Sequence, residues 1–358
     1  MGALQPFFTT YPWPESFSEV LDVRSPAEFA EDHVPGAVNL PVLSDSERAE
    51  VGTLYKQVSP FIARKRGASL VSRNISEHLS TYLADMPKDY APVVYCWRGG
   101  QRSFSMATIL SQVGWRTGVL SGGYKTYRKH VRQQLETVPR QFQFNVLCGL
   151  TGTAKTEILR RLSSAQTQVL DLEKLANHRG SLLGREVDSP QPSQKQFDSD
   201  LLSALEQFDP KRPLWVEAES NKIGQIFIPS QLWTRLKQGR CVEILAPVAS
   251  RVSYLVNTYP QFSANLPTLM TELRKLKQRY GKAQIDQWQV IIERGSAAEI
   301  VRSLLAVHYD PAYRKSMGQQ YLNQVDQISL SELSSDSLDA AVQQLAAFTS
   351  AQSSPNHL

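Results

Sequence analysis

The sequence predicts an α/β protein of two domains, each with a mainly parallel sheet flanked by helices. Its 358 residues allow two domains of ordinary size, and 41% hydrophobic with 20% charged residues lies in the globular range. A first strand–loop–helix pattern runs from Val93-Val94-Tyr95 through a glycine-bearing loop into an apolar-rich helical segment over 104–113. A second runs from the strand at 142–147 through Gly149-Leu150-Thr151-Gly152 into a helix over 157–162. Further apolar runs stop at acidic residues, as core strands do where they meet a ligand crevice.

Cys96 closes the first strand, in Cys96-Trp97-Arg98-Gly99-Gly100-Gln101-Arg102-Ser103. Loop N–H groups, the positive end of the following helix, Arg98 and Arg102 together suit a nucleophilic sulfur. A lone intracellular cysteine is otherwise a buried structural residue. A Cys-x5-Arg loop serves either a phosphatase-like site, where a His usually precedes the Cys, or a loop that carries a persulfide. Here Tyr95 precedes it.

The helix predicted over 125–135 leaves the first domain, and the boundary falls near Thr137-Val138-Pro139-Arg140. The domains are therefore read as 1–137 and 138–350, with a polar, frayed tail over 351–358. In the second domain Gly149, Gly152, Thr153, Ala154, Lys155 and Thr156 form a phosphate loop. Its N–H groups wrap phosphate oxygens, Lys155 neutralises charge and Thr156 is a candidate Mg²⁺ ligand. Ala154 stands where the pattern has its second glycine, and its Cβ is expected to crowd the bend. Strands are predicted at 169–173 and 214–220. They bring Asp171 and Glu173, then Glu217, Glu219 and Ser220, to the crevice, followed by His178-Arg179-Gly180-Ser181 and by Lys222. The acids are candidates for Mg²⁺ or protons, Arg179 and Lys222 for phosphate. Read singly, each is more often a cap or a surface charge, but their repeated placement after apolar strands tilts the group toward function. Asp188-Ser189-Pro190-Gln191-Pro192-Ser193 reads as a loop, 239–245 as one more strand, and 338–348 as a helix on the second domain.

Three cysteines are too few and too far apart for a disulfide framework or a zinc site, and Cys148 and Cys241 read as core residues. With no leader-like N-terminus and no apolar run of membrane-spanning length, a reducing, cytoplasmic location is expected. The net charge is +5, and every one of the 39 Lys and Arg residues lies at or before Lys315. Three basic clusters suggest an RNA footprint: Arg64-Lys65-Arg66 with Arg73, the run from Lys125 to Arg132 with Tyr124 and Tyr127, and Arg274 to Arg279 with Tyr280. Ordinary solvated surface is the alternative.

Leu21-Asp22-Val23-Arg24-Ser25-Pro26-Ala27-Glu28-Phe29 and His33-Val34-Pro35-Gly36-Ala37-Val38-Asn39-Leu40-Pro41 resemble the entry motif of rhodanese domains. The Cys96 loop, Val51-Gly52-Thr53-Leu54-Tyr55-Lys56, the phosphate loop, and the segments carrying Asp171 to Ser181 and Val216 to Gly224 together resemble the tRNA 2-selenouridine synthase family. The resemblance implies a rhodanese-like domain fused to a P-loop domain. It implies two steps at the 2-thiouridine of the tRNA wobble position: geranylation of the sulfur from geranyl diphosphate, then replacement by selenium from selenophosphate. Cys96 would form the selanylcysteine intermediate, supported by Arg98, Gly99, Gly100, Arg102 and Ser103, and the P-loop would hold the diphosphate. The open alternatives are an ATP-dependent RNA sulfurtransferase and a tRNA-binding sulfur or selenium carrier.

Overall fold

The computed structural model describes residues 4–165, 167–179, 190–258, 266–320 and 323–353. The chain forms two compact units. The first reaches Leu135 and also takes in the later segment Pro192–Ser203; the second holds Glu136–Gln191 and the chain from Ala204 onward. The return of Pro192–Ser203 to the first unit is not part of a single boundary near 137.

The first unit contains β1 (Phe7–Thr9), β2 (Glu19–Asp22), α1 (Pro26–Glu31), β3 (Val38–Asn39), α2 (Asp45–Gln57), α3 (Pro60–Ser80), β4 (Pro92–Tyr95), α4 (Gln101–Val113), β5 (Gly118–Leu120) and α5 (Tyr124–Thr137), whose last residues enter the second unit. Its sheet has the order β1-β5-β4-β2-β3, and every pairing is parallel. All of β4 is buried, as a central parallel strand covered on both faces requires. Leu21, Met106, Leu110 and Val119 share a core cluster with its Val94. Ser44 and Glu47 exchange side-chain and backbone hydrogen bonds in a capping box that starts α2. Ser59 accepts the Phe61 N–H and Pro60 opens α3. The two helices form a hairpin in which Val51 of α2 lies against Gly67 of α3.

The second unit contains β6 (Phe144–Cys148), α6 (Lys155–Ser164), β7 (Val169–Leu170), α7 (Leu172–Ala176), the end of α8 (Gln194–Glu206), β8 (Leu214–Glu217), β9 (Lys222–Ile223), β10 (Ile226–Phe227), α9 (Ser230–Lys237), β11 (Arg240–Leu245) and α10 (Val248–Thr258). Beyond these come α11 (Leu266–Arg274), α12 (Lys277–Glu293), α13 (Ala297–Leu304), a π-turn over Leu305–Tyr309, α14 (Asp310–Gln320), β12 (Gln324–Ser329) and α15 (Ser335–Ser353). Its main sheet, β12-β11-β6-β8-β7, is also parallel throughout. Strands β9 and β10 form a separate antiparallel pair.

Three expectations need correction. The strand predicted over 169–173 stops at Leu170, because Asp171 accepts the Lys174 N–H at 2.8 Å and caps α7, leaving Glu173 in a helix. Cys148 and Cys241 are not separate core residues: a disulfide joins them. Strands β6 and β11 are neighbours, Cys241 sits opposite Val146 and Cys148 opposite Glu243, so the two cysteines are diagonal partners. The tail read as frayed from 351 stays helical through Ser353. Gly180, Ser181, Asp188 and Ser189 of the predicted loops, and 354–358, lie outside the described residues. Among the described residues no helix is long and apolar enough to cross a membrane.

Candidate active sites

Two sites are built where parallel strands end, one in each unit. In the first, β4 delivers Cys96 into a loop that Gly99 bends with φ 64°, and Gly100 is the N-cap of α4. Cys96 is buried, with Sγ 3.2 Å from the Ser103 Oγ, which itself donates to the Gly100 carbonyl at 3.1 Å. The start of α5 closes the other side: Tyr124 N donates to the Cys96 carbonyl at 2.8 Å and Lys125 N to that of Trp97 at 3.2 Å. Gly123 has to be glycine here, since a Cβ would fall 2.2 Å from the Cys96 oxygen and 2.4 Å from Gly99 N at a φ of 61°. Of the two arginines, Arg98 is exposed, while Arg102 donates to Glu28 at 2.8 Å, where Arg48 also pairs. Burial resists the charge on Glu28, but the hydrogen bond from Arg102 and the charges of Arg102 and Arg48 hold its carboxyl below the ordinary value.

A buried network that the sequence did not reveal lies behind this loop. Arg24 grips Asp22 through two nitrogens and the Asp32 carbonyl at 2.6 Å, with its guanidinium 4.1 Å from the centre of the Tyr124 ring. Tyr124 in turn donates to Asp32 at 2.6 Å. Burial raises the Asp32 carboxyl above its ordinary value, with the Tyr124 hydrogen bond opposing it. The rhodanese-like motif could have pointed to Asp22 and Arg24, but their partners arrive from distant chain.

In the second unit the phosphate loop follows β6. Gly149 (φ 143°) and Gly152 (φ 84°) turn the chain, and Ala154 takes φ 62° and ψ 25° as the N-cap of α6. An L-residue in that left-handed region costs about 1 kcal/mol. The methyl is buried with Ile158, Leu162 and Ile244 in the apolar cluster under the loop, which offsets part of this. Lys155 Nζ donates to the Gly149 carbonyl at 2.9 Å and lies 3.4 Å from Glu217. Thr153 Oγ1 donates to the Leu150 carbonyl, and Thr156 Oγ1 donates to Glu217 at 2.8 Å and lies 3.3 Å from a Glu173 carboxyl oxygen.

Glu173, Glu217 and Glu219 bring carboxylate oxygens within 4.8 Å of one another. Burial, then the Glu217 and Glu219 charges, push Glu173 up to about 10; burial, then Glu217, push Glu219 up to about 8. The oxygen-only donor set fits a hard cation such as Mg²⁺.

These residues floor a cavity of about 740 Å³. His178, Arg179 and Ser220 line it with them, as does the capping Asp171. Lys222 is exposed and reaches over the Phe227 ring at 4.9 Å, so it is not among the lining residues. An apolar stretch of the wall comes from α10, α11, α13 and the π-turn: Leu255, Leu269, Ile300, Val301, Leu304 and Leu305. The Gly149 N–H donates to the Tyr313 hydroxyl at 2.7 Å, and Arg251 joins the Thr151 carbonyl (3.1 Å) to both carboxylate oxygens of Asp310 (2.9 Å). None of these wall and loop-anchoring residues stood out in the sequence, although Ile300, Leu304 and His308 repeat at helical spacing.

Residues 142–343 match the family described as tRNA 2-selenouridine synthase AAA domain, and residues 13–130 match the rhodanese-like domain. A tRNA 2-selenouridine synthase of Shewanella sediminis is 32% identical over 84% of this chain and 88% of its own length. This chain belongs to the tRNA 2-selenouridine synthase family. Its relatives include proteins of that name from Nitrosomonas europaea, 36% identical over 67% of this chain and 63% of that protein, and from Bdellovibrio bacteriovorus, 37% identical over 67% and 64%. The matches extend over both the Cys96 loop and the phosphate loop.

Proposed function

We propose that this protein is a tRNA-modifying enzyme that converts wobble 2-thiouridine to 2-selenouridine, with geranyl diphosphate and selenophosphate as co-substrates. One observation carries the prenyl half of this reading: the cavity at the phosphate loop has charged residues on its floor and a broad apolar stretch in its wall, which suits a diphosphate bearing a hydrocarbon chain. In the first step the thiocarbonyl sulfur attacks C1 of the geranyl group. The C–O bond breaks, diphosphate leaves, and the base gives up its N3 proton. Lys155 and the loop N–H groups stabilise the charge that builds on the leaving diphosphate. Thr156, Glu173 and Glu217 would hold Mg²⁺, which when bound adds charge neutralisation at the same oxygens.

In the second step S-alkylation has removed the thione resonance, so C2 is electrophilic and the geranyl thiol can leave. The Cys96 thiolate attacks the selenium of selenophosphate, and the P–Se bond breaks with its electron pair on phosphorus, which leaves as phosphite. The Cys96 S–Se⁻ so formed attacks C2 as the C2–S bond breaks and geranyl thiol departs. A cellular thiol then attacks the Cys96 sulfur, the S–Se bond breaks to release the 2-selenouridine, and a second thiol resolves the mixed disulfide to restore Cys96. Burial of Cys96 under α5 and its contact with Ser103 suit a guarded, single-atom carrier. The protein works in the cytoplasm, where its tRNA substrate is.

The test is mass spectrometry of tRNA nucleosides after incubation with geranyl diphosphate, with and without selenophosphate. The reading expects S-geranyl-2-thiouridine and diphosphate without selenophosphate, and 2-selenouridine with it. Release of AMP or ADP from ATP with no prenylated nucleoside would replace it with an ATP-dependent sulfurtransferase.

A further inference from the structure

The structure sorts the three basic clusters that suggested an RNA footprint. In the Lys125 to Arg132 run, Tyr124 and Tyr127 are buried and Arg128 pairs with Asp198, so neither tyrosine faces a base. In the Arg274 to Arg279 run, Tyr280 packs on Trp288 and bonds His308 at 2.7 Å inside the helical core of the second unit. Lys275 pairs with Glu272. The first cluster had no aromatic residue in the sequence reading, yet it is the one that has rings at the surface.

Those rings lie at the turn of the α2–α3 hairpin. Tyr55, in the last turn of α2, is 58% exposed, and Phe61, in the first turn of α3, is 69% exposed. Val58 and Ile62 are exposed between and beside them. The same stretch holds no Asp or Glu anywhere from 51 to 76. Of its five cations, Arg66 and Arg73 are paired with Glu50 and Glu47 from α2. Lys56, Arg64 and Lys65 are exposed and have no carboxylate partner among the described residues. The segment Val51-Gly52-Thr53-Leu54-Tyr55-Lys56 divides accordingly: Val51 packs on the core, while Gly52, Thr53, Tyr55 and Lys56 face outward.

A large flat ring in water beside uncompensated positive charge is the composition of a surface that stacks nucleobases and holds the phosphates between them. A purely structural role does not explain Phe61, whose ring buries little, and a protein-binding patch would have fewer unpaired cations at its centre. We propose that the α2–α3 corner, with Tyr55 and Phe61 as stacking platforms and Lys56, Arg64 and Lys65 as phosphate contacts, binds an unpaired stretch of the substrate tRNA. This rests on the proposed tRNA-modifying function.

The test measures affinity of the full chain for a 2-thiouridine-bearing tRNA across a salt series. Tyr55→Ala with Phe61→Ala is expected to weaken binding about tenfold or more while leaving the salt slope unchanged, because stacking releases no counterions. Arg64→Glu with Lys65→Glu is expected to weaken binding and flatten the slope. Phe61→Trp keeps a ring and is expected to bind as wild type does. Since all these side chains are exposed, a thermal melt checks that folding is intact. Photocrosslinking of 4-thiouridine-substituted tRNA to peptides holding Tyr55 or Phe61 gives a readout on the unmutated protein. Unchanged affinity in the double alanine variant, with no crosslink at this corner, would overturn the proposal and leave the patch to a protein partner. A wild-type protein that binds no tRNA would overturn the proposed function as well.

Discussion

Cys96 and Lys155 stand on different loops in different units, and this separates the two proposed steps. Cys96→Ala is expected to accumulate S-geranyl-2-thiouridine and make no 2-selenouridine. Lys155→Ala is expected to abolish geranylation yet still exchange selenium into pre-geranylated tRNA; nucleoside mass spectrometry reads both, and normal selenation by Cys96→Ala would remove the carrier role. Glu219 gives a pH prediction. Its folded value of about 8, like the value of about 10 for Glu173, stands above the ordinary 4.5. Above that ordinary value the unfolded chain has released protons that the folded cluster keeps, so stability falls as pH rises toward 8 and 10. Glu219→Gln removes one such group. Its melting temperature, measured with chelator, is expected to fall less than that of the wild type from about pH 6 to about pH 9. Equal slopes would mean that Glu219 is ionised in the folded protein. Lys155, Thr156, Glu217 and Cys96 were legible in the sequence because loop chemistry is local. Tyr313, Arg251 and Asp310 were not, since each reaches the phosphate loop only through tertiary packing.

Helices α10, α11 and α13 with the π-turn give the cavity at the phosphate loop its apolar wall. Val301 of α13 lines that wall and is half-buried, so under the proposed function a larger side chain there is expected to crowd the geranyl chain and spare the diphosphate. Val301→Trp is expected to raise KM for geranyl diphosphate roughly tenfold, on the order of the 1–3 kcal/mol that a filled hydrophobic subsite is worth. Binding of inorganic diphosphate should not change, which calorimetry can check; equal loss for both ligands would mean a general collapse of the site. The strands and glycine loops that build the two candidate sites were visible because apolar runs and turn residues signal themselves. The wall was not, because residues such as Leu269, Ile300 and Leu304 look the same whether they face a core or a cavity. The Cys148–Cys241 bond was hidden for a related reason: it depends on β11 lying beside β6, and strand order is not written in local pattern.

At the scale of the molecule, the parallel α/β architecture of both units follows from the alternation of short apolar strands with helices. The chain's route does not, because Pro192–Ser203 rejoins the first unit after the phosphate loop has been built. There Asp198 pairs with Arg128, Lys195 donates to Glu31 at 2.6 Å, and Ser193 donates to the Glu31 carbonyl. Both Arg128 and Asp198 are largely buried. Asp198→Ala is expected to destabilise the protein by about 3 kcal/mol, since it strands a largely buried guanidinium. Adding Arg128→Ala should recover part of that loss, a non-additivity that urea unfolding of the four proteins in the cycle measures. Strict additivity would show that the pair is not coupled.

That return of the chain also bears on inheritance. A gene exchange with one crossover at residue 137 would transplant the rhodanese-like module without Asp198, Lys195 and Ser193, the partners it keeps downstream. To travel intact the module needs two crossovers, or a recipient that already supplies an equivalent segment. A single crossover there is therefore expected to leave the module less stable than two crossovers that bring Pro192–Ser203 along.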